Sequence, residues 1–193
     1  MHKHLSTLLG VLLIGLGAAQ SALATITTLT FDEFSSGTDI TNQYAGIGVT
    51  ASGATALVAT STPWSANSGL NIANAPTGTI LLLLNPAITG LVQSGSVYIS
   101  GETSISLYAY DFGGALLGSF ATPGATDSFL LSFTSSGNPI ESISIHDGGS
   151  QFAIDTLTFV SPTAVPEPMS LALLGLGLAA MAVTRRRRSF DAS

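Results

Sequence analysis

Short runs that alternate between apolar and polar residues fill the middle of this chain, residues 25–160. In residues 105–110, for example, Ile, Leu and Ala alternate with Ser and two Tyr residues. A period of two is typical of a strand that buries one face and exposes the other. Residues 79–84, TILLLL, break the alternation with a continuous apolar run, which predicts a strand buried on both faces.

Turn-forming residues separate these runs about every ten residues, as at Asn-Pro in residues 85–86 and Gly-Gly in residues 113–114. About eight to ten strands with this spacing predict an all-β fold, an antiparallel β-sandwich of the jelly-roll type. An immunoglobulin-like sandwich is the alternative, although the chain has no Cys–Trp–Cys pattern.

The last predicted strand changes the parity of its apolar positions part-way along. Phe152 and Ile154 share one parity, whereas Leu157 and Phe159 share the other. Both pairs can face the core only if one extra residue is inserted near residues 155–156. An inserted residue of this kind is the signature of a β-bulge.

A secretory signal peptide is predicted at the amino terminus, over residues 1–24. A weakly basic start is followed by an apolar run, and Ala22 and Ala24 form the small-x-small pattern of a cleavage site. Cleavage after Ala24 would release the predicted β-sandwich ectodomain, residues 25–160. The alternative is that the apolar signal helix stays attached as a membrane anchor.

Three further segments follow the predicted ectodomain. Residues 161–168 contain three prolines and predict an extended linker. Residues 169–184 are apolar and uncharged and predict a short C-terminal transmembrane helix, which would span only about 24 Å of a bilayer core of about 30 Å. Residues 185–193 begin with four arginines and predict a basic tail that stays in the cytoplasm.

The tail combines a Pro-Glu-Pro turn, an apolar run and an arginine cluster in a fixed order. The residues at its two ends are Val165, Pro166, Glu167, Pro168, Arg185, Arg186, Arg187 and Arg188. This combination resembles the PEP-CTERM sorting signal of exported proteins in Gram-negative bacteria that make exopolysaccharide. The same tail is also called an ice-binding protein C-terminal domain. The resemblance implies recognition by an exosortase, a membrane transpeptidase-like enzyme that acts near the Pro-Glu-Pro turn.

The resemblance also implies a route and a destination. Such proteins leave by the general secretory route, lie in the inner membrane during processing, and then reach the cell surface or the extracellular matrix. Residues 30–34 and 152–159 resemble the first and last strands of jelly-roll, carbohydrate-binding-like modules in these exported proteins, where Asn is common at the position of Thr156. The implied role is structural or glycan-binding, with exopolysaccharide as a candidate partner.

The distribution of charge excludes several classes of function. All five basic residues lie outside residues 25–160, while nine of the 11 carboxylates lie inside, the others being Glu167 and Asp191. Binding to nucleic acid needs cations that displace phosphate counterions, so a nucleic-acid partner is excluded. The chain has no cysteine, which excludes a thiol nucleophile and a thiolate metal site.

Calcium is the one metal for which the sequence offers candidate ligands. First and last strands often pair in sandwiches, so we expect residues 28–34 to lie beside residues 152–160. Asp32, Glu33 and Asp155 would then converge at one end of the sandwich, and carboxylate oxygens are the ligands that calcium prefers. The alternative is that these are solvated carboxylates at strand ends.

Aromatic residues supply the candidate ligand-binding surface. Tyr108 and Tyr110 have the same parity and are expected to project together from one sheet, where sugar rings could stack on them. Trp64 lies in a loop rich in Ser, Thr and Pro, where we expect its ring to be exposed. Tyr44 and Tyr98 would extend this platform. The alternative is that the aromatic rings complete the core.

A polysaccharide-active hydrolase is the alternative function. Glycoside hydrolysis needs two carboxylates about 5–10 Å apart across a cleft, and no motif in the chain selects such a pair. His146 is followed by Asp147, but neighbouring side chains on a strand point to opposite faces and cannot form a simple relay. We therefore name no catalytic residue and expect a protein that is not an enzyme.

Overall fold

The computed structural model describes residues 24–149 and 151–162, together with Gly177. The first two ranges fall within one compact unit, Leu23–Thr163. The predicted signal peptide, Pro-Glu-Pro turn, transmembrane helix and basic tail lie outside the described residues. In the part of the chain that the structure describes, no helix is long and apolar enough to cross a membrane.

Within the described residues the chain forms twelve strands, one short α-helix and two single 3-10 turns. The strands are β1 (Thr25–Leu29), β2 (Asp39–Ile40), β3 (Val49–Ser52), β4 (Ala54–Val58), β5 (Asn71–Ala75), β6 (Thr79–Leu84), β7 (Ser94–Gly101), β8 (Ser106–Tyr110), β9 (Leu116–Ala121), β10 (Thr126–Thr134), β11 (Ser142–His146) and β12 (Phe152–Ser161). The helix is α1 (Pro86–Thr89), and the 3-10 turns are Ala45–Ile47 and Ala59–Ser61.

The strands form two antiparallel sheets. The larger sheet has the order β10-β7-β12-β5-β4-β2, and β1 joins it beside β12. The smaller sheet has the order β3-β6-β11-β8-β9. The eight strands from β5 to β12 thus lie as β10-β7-β12-β5 in one sheet and β6-β11-β8-β9 in the other, which is the arrangement of a jelly roll. The predicted all-β jelly-roll sandwich is confirmed.

A single apolar core joins the inner faces of the two sheets, and β6 shows where that core ends. Ile80, Leu82 and Leu84 face inwards and are at most 5% exposed, whereas Leu81 and Leu83 are 37% and 49% exposed. The prediction that this strand is buried on both faces is therefore wrong. The apolar run continues onto the outer face of the smaller sheet, and its leucines meet solvent there.

Strand β12 contains the predicted bulge. Its register against β7 shifts between Asp155 and Thr158, and Thr156 has a φ of 43°. On its other edge β12 pairs with β5 through residues 152–154 and with β1 through residues 157–161. The bulge therefore lies where the partner on this edge of β12 changes from β5 to β1. The bulge is confirmed, and the first and last strands pair as predicted, but through residues 25–29, so residues 30–34 of the predicted first strand lie outside it.

Candidate functional site

Two of the three carboxylates predicted to bind calcium, Asp32 and Asp155, meet at one loop. Asp32 follows β1 rather than lying within it, because the backbone turns at Phe31, where φ is 65°. The Oγ of Ser68 lies 3.1 Å from Oδ1 of Asp155 and 3.3 Å from Oδ2 of Asp32. Glu33 is exposed and does not contact this serine.

Backbone amides stabilise these two carboxylates. Oδ2 of Asp155 accepts hydrogen bonds from the amides of residues 67 and 68, at 2.6 and 2.7 Å. Oδ1 of Asp32 accepts from the amides of residues 70 and 71, at 2.8 and 2.9 Å. Among the described residues, no three His, Cys, Asp or Glu side chains are grouped so that they could hold a metal ion. Calcium binding stays a prediction that this geometry does not support, because amide donors occupy Oδ1 of Asp32 and both oxygens of Asp155, and the Ser68 hydroxyl is directed at the remaining oxygen.

A third aspartate, Asp127, holds the same loop. Its carboxylate accepts hydrogen bonds from N and Oγ of Ser65, at 2.8 and 2.7 Å, and from Oγ of Ser100, at 3.0 Å. Donation from the Ser65 backbone lowers the pKa of Asp127 below its ordinary value. Residues 59–70, here named the Trp64 loop, are therefore held by hydrogen bonds to the carboxylates of Asp32, Asp127 and Asp155. The sequence analysis did not identify Asp127. The only indication in the sequence is that residues 25–160 contain no Lys or Arg that could pair with its carboxylate.

Trp64 lies beneath this loop rather than on its surface. The residue is only 9% exposed and packs with Ala59, Ile72 and Ala153 in a small apolar cluster. Ile72 and Ala153 belong to β5 and β12, so the cluster lies on the larger sheet and outside the main core. The prediction of an exposed ring is wrong, because the Trp64 loop folds back over the sheet and brings the indole onto its apolar residues.

Tyr108 and Tyr110 project from the outer face of the smaller sheet, as predicted. Leu107 and Ala109, which have the opposite parity on β8, are fully buried in the core. The ring of Tyr108 stacks on the imidazole of His146, with centroids 5.1 Å apart and planes inclined by 11°. His146 ends β11, and the sequence did not predict the stack because it depends on the pairing of β8 with β11.

Hydroxyl groups and leucines complete the surface around these rings. We name it the tyrosine face and define it by Tyr108, Tyr110, His146, Ser142, Ser144, Leu81 and Leu83. In the sheet register, Ser144 lies between Tyr108 and Leu81, and Ser142 lies between Tyr110 and Leu83. Two rows therefore cross three strands, each strand about 4.8 Å from the next. No member of the tyrosine face carries a carboxylate, an ammonium or a guanidinium group.

The two other tyrosines do not extend this face. Tyr44 is 7% exposed and packs edge-on against Phe31 and Phe34, with ring centroids 5.8 and 5.2 Å apart. Its hydroxyl accepts a hydrogen bond from N of Phe31 at 3.0 Å, and burial followed by the nearby Glu33 raises the pKa of Tyr44. Tyr98 lies on β7 in the larger sheet. The predicted extension is wrong because one ring belongs to the core and the other to the opposite sheet.

Comparison with known families concerns the tail of the chain. Residues 164–188 match the model of the PEP-CTERM protein-sorting motif. The chain carries a PEP-CTERM sorting motif. The motif indicates an exported protein that is processed at the membrane by an exosortase. No curated protein is significantly similar to the chain in sequence.

Several solved structures resemble the sandwich at low sequence identity. A family 29 carbohydrate-binding module is 17% identical, with a TM-score of 0.41 over 77% of this chain and 98% of that chain. A family 29 module from Piromyces equi is 13% identical, with a TM-score of 0.42 over 77% and 98%. A DUF4465 family protein from Bacteroides caccae is 8% identical, with a TM-score of 0.45 over 75% and 95%. All three TM-scores lie below 0.5, so these similarities do not indicate a function for this chain.

Proposed function

We propose that this protein is an exported, non-catalytic surface protein that binds a neutral glycan on its tyrosine face. The observation that carries the proposal is the outward-facing pair Tyr108 and Tyr110, with hydroxyl groups beside each ring. Sugars present apolar ring carbons on one side and hydroxyl groups at their edges. A surface that alternates aromatic rings with serines matches both features.

The stack between Tyr108 and His146 prepares this face for a ligand. A ring that is already held at 5.1 Å from a neighbouring ring loses little conformational freedom when a sugar packs on it. Tyr108 and Tyr110 are two residues apart on one strand, so their side chains are separated by about 6.6 Å. That separation suits successive units of an extended polysaccharide better than a single small molecule.

Charge favours a neutral ligand over an anionic one. The ectodomain has nine carboxylates and neither Lys nor Arg, so uronate, sulfate and phosphate groups would meet repulsion without a counter-charge. The tyrosine face carries no carboxylate of its own, which leaves it open to uncharged hydroxyl groups. Neutral stretches of exopolysaccharide are therefore the ligand that this surface fits.

Affinity electrophoresis in gels that contain neutral polysaccharides tests the glycan proposal. We expect the protein to be retarded, and the double variant Tyr108→Ala/Tyr110→Ala to be retarded much less. Tyr98→Ala removes the same type of side chain from the other sheet and should keep the retardation. Unchanged mobility of the protein in every gel would overturn the proposal. Reducing ends released from the same glycans would contradict the non-catalytic assignment.

The tail of the chain carries the sorting motif. An exosortase that acts near the Pro-Glu-Pro turn would release the ectodomain from the apolar run of residues 169–184 to the cell surface or the matrix. Glu167→Ala should therefore leave an uncut chain in the membrane fraction, measured by size and fractionation. Asp191→Ala removes a carboxylate beyond the arginine cluster and should be processed normally. Normal processing of Glu167→Ala would contradict this step.

A further inference from the structure

A pocket of about 420 Å³ lies on the larger sheet, on the side of the sandwich away from the tyrosine face. Trp64 and Thr62 of the Trp64 loop form part of its lining, together with Asn74 of β5. Glu102 follows β7 and Gln151 precedes β12, and both complete the lining. Pockets that hold small ligands commonly have volumes of about 300–1,000 Å³.

Asn74 is the unusual member of this pocket. It is 5% exposed, and it pairs with Thr55 on one side and Ala153 on the other within the sheet. Its Oδ1 is buried and has no hydrogen-bond partner among the described residues. A buried acceptor without a donor is costly, so buried polar groups are generally paired. Asn74 lines the pocket, and rotation of its amide towards a bound hydroxyl group would supply Oδ1 with the missing donor.

The remaining polar groups define what the ligand must carry. The carboxylate of Glu102 accepts hydrogen bonds and repels anions, and Gln151 can donate or accept. Neither Lys nor Arg occurs anywhere in residues 25–160, so the pocket has no cation to hold an acidic group. The indole of Trp64 adds an apolar wall. A ligand rich in hydroxyl donors, uncharged, and apolar on one side satisfies all these features.

We propose that this pocket binds a single neutral sugar unit, such as the end or a branch of a polysaccharide. Asn74 and Glu102 accept hydrogen bonds from its hydroxyl groups, and Trp64 packs against its ring carbons. The pocket encloses one unit, whereas the tyrosine face is open along the strands. With one site on each sheet, the protein would bridge two glycan chains. Only the bridging depends on the proposed function of the tyrosine face, and binding in the pocket does not.

Trp64 provides a specific reporter, since it is the only tryptophan of the chain. The test titrates the full chain, in a detergent without a sugar headgroup, with methyl glucoside, methyl mannoside, methyl galactoside and glucuronate. We expect a saturable change in Trp64 fluorescence with a neutral sugar, with a dissociation constant on the order of 1 mM for a ligand of this size. Glucuronate should give none. A lack of any saturable change with all three neutral sugars would overturn the proposal.

Two variants locate the binding. Asn74→Leu removes the unpaired acceptor and should weaken binding about tenfold. Glu102→Gln keeps hydrogen bonding but removes the charge, and should allow glucuronate to bind. Glu141→Gln removes a charge just before β11 of the other sheet and should change nothing. Equal affinity of the protein, Asn74→Leu and Glu102→Gln for every sugar would overturn the assignment. The variant Tyr108→Ala should leave this titration unchanged, so failure of the tyrosine face would be seen separately.

Discussion

Replacing Asp155 with Asn tests whether aspartates hold the Trp64 loop in place. Asp155 is 3% exposed, and its oxygens accept hydrogen bonds from the amides of residues 67, 68 and 156 at 2.6–2.7 Å. In Asp155→Asn one oxygen becomes an NH2 group, which cannot accept. At least one buried amide then lacks an acceptor, at a cost of about 1–3 kcal/mol, and the remaining bonds lose their charge assistance, about 1 kcal/mol. We expect the free energy of unfolding to fall by about 3 kcal/mol.

Urea denaturation followed by Trp64 fluorescence measures this loss, and emission of the native state should shift to the red as the loop lifts from the sheet. Asp39→Asn is the control, because Asp39 is exposed and its carboxylate accepts one hydrogen bond, from Oγ1 of Thr55 at 2.9 Å. It should cost less than about 1 kcal/mol. A similarly small loss in Asp155→Asn, with unchanged emission, would refute the reasoning. Calcium chloride should leave the midpoint of the unmodified protein unchanged, because amide or hydroxyl donors are already directed at all four carboxylate oxygens of Asp32 and Asp155.

Three further substitutions probe the same region. Thr156 is β-branched and has a φ of 43°, which Asn tolerates better, so Thr156→Asn should raise the free energy of unfolding by about 0.5–1 kcal/mol in thermal melts; a lower melting temperature would contradict this. Gly69 has a φ of 47°, and a Cβ there would overlap the Asp32 carboxylate. Gly69→Ala should therefore destabilise by more than about 1 kcal/mol, unlike Gly137→Ala, whose Cβ would meet nothing within 4 Å. The pKa of Asp127 is lowered in the folded state, so its contribution to stability is complete above the unfolded pKa of about 4 and is lost as pH falls below it. The difference in melting temperature between the protein and Asp127→Asn should shrink over that range, and a constant difference would contradict the assignment.

Local sequence pattern was enough to predict the fold. Alternation marks which residues of β8 face the core, and a change of parity within β12 required one inserted residue, which the structure has at the bulge. The pattern failed at β6, because a run that is apolar at every position looks the same whether one or both faces are buried. Burial there depends on what packs over the sheet, and that is a property of the whole fold.

The sites were predicted only in part, for a related reason. Tyr108 and Tyr110 share a face by parity alone, whereas the stack on His146 needs the register between two strands. Asp32 and Asp155 were predicted to converge, but their partners are backbone amides, which every residue has and which no sequence pattern distinguishes. The burial of Trp64 follows from those contacts, since they decide where its loop lies.

Backbone amides stabilise these carboxylates because the surrounding chain has no basic side chain to pair with them. Residues 25–160 have nine carboxylates and no Lys or Arg, so they form no lysine or arginine ion pairs among themselves. Asp32, Asp127 and Asp155 instead each accept hydrogen bonds from the Trp64 loop. Surface ion pairs weaken as salt rises, whereas the hydrogen bonds to Asp155, the buried one of the three, are screened far less. The cost is that the loop must hold one conformation, and that conformation buries Trp64 and shapes the pocket beside it. Stability and the proposed sugar pocket therefore depend on the same three carboxylates.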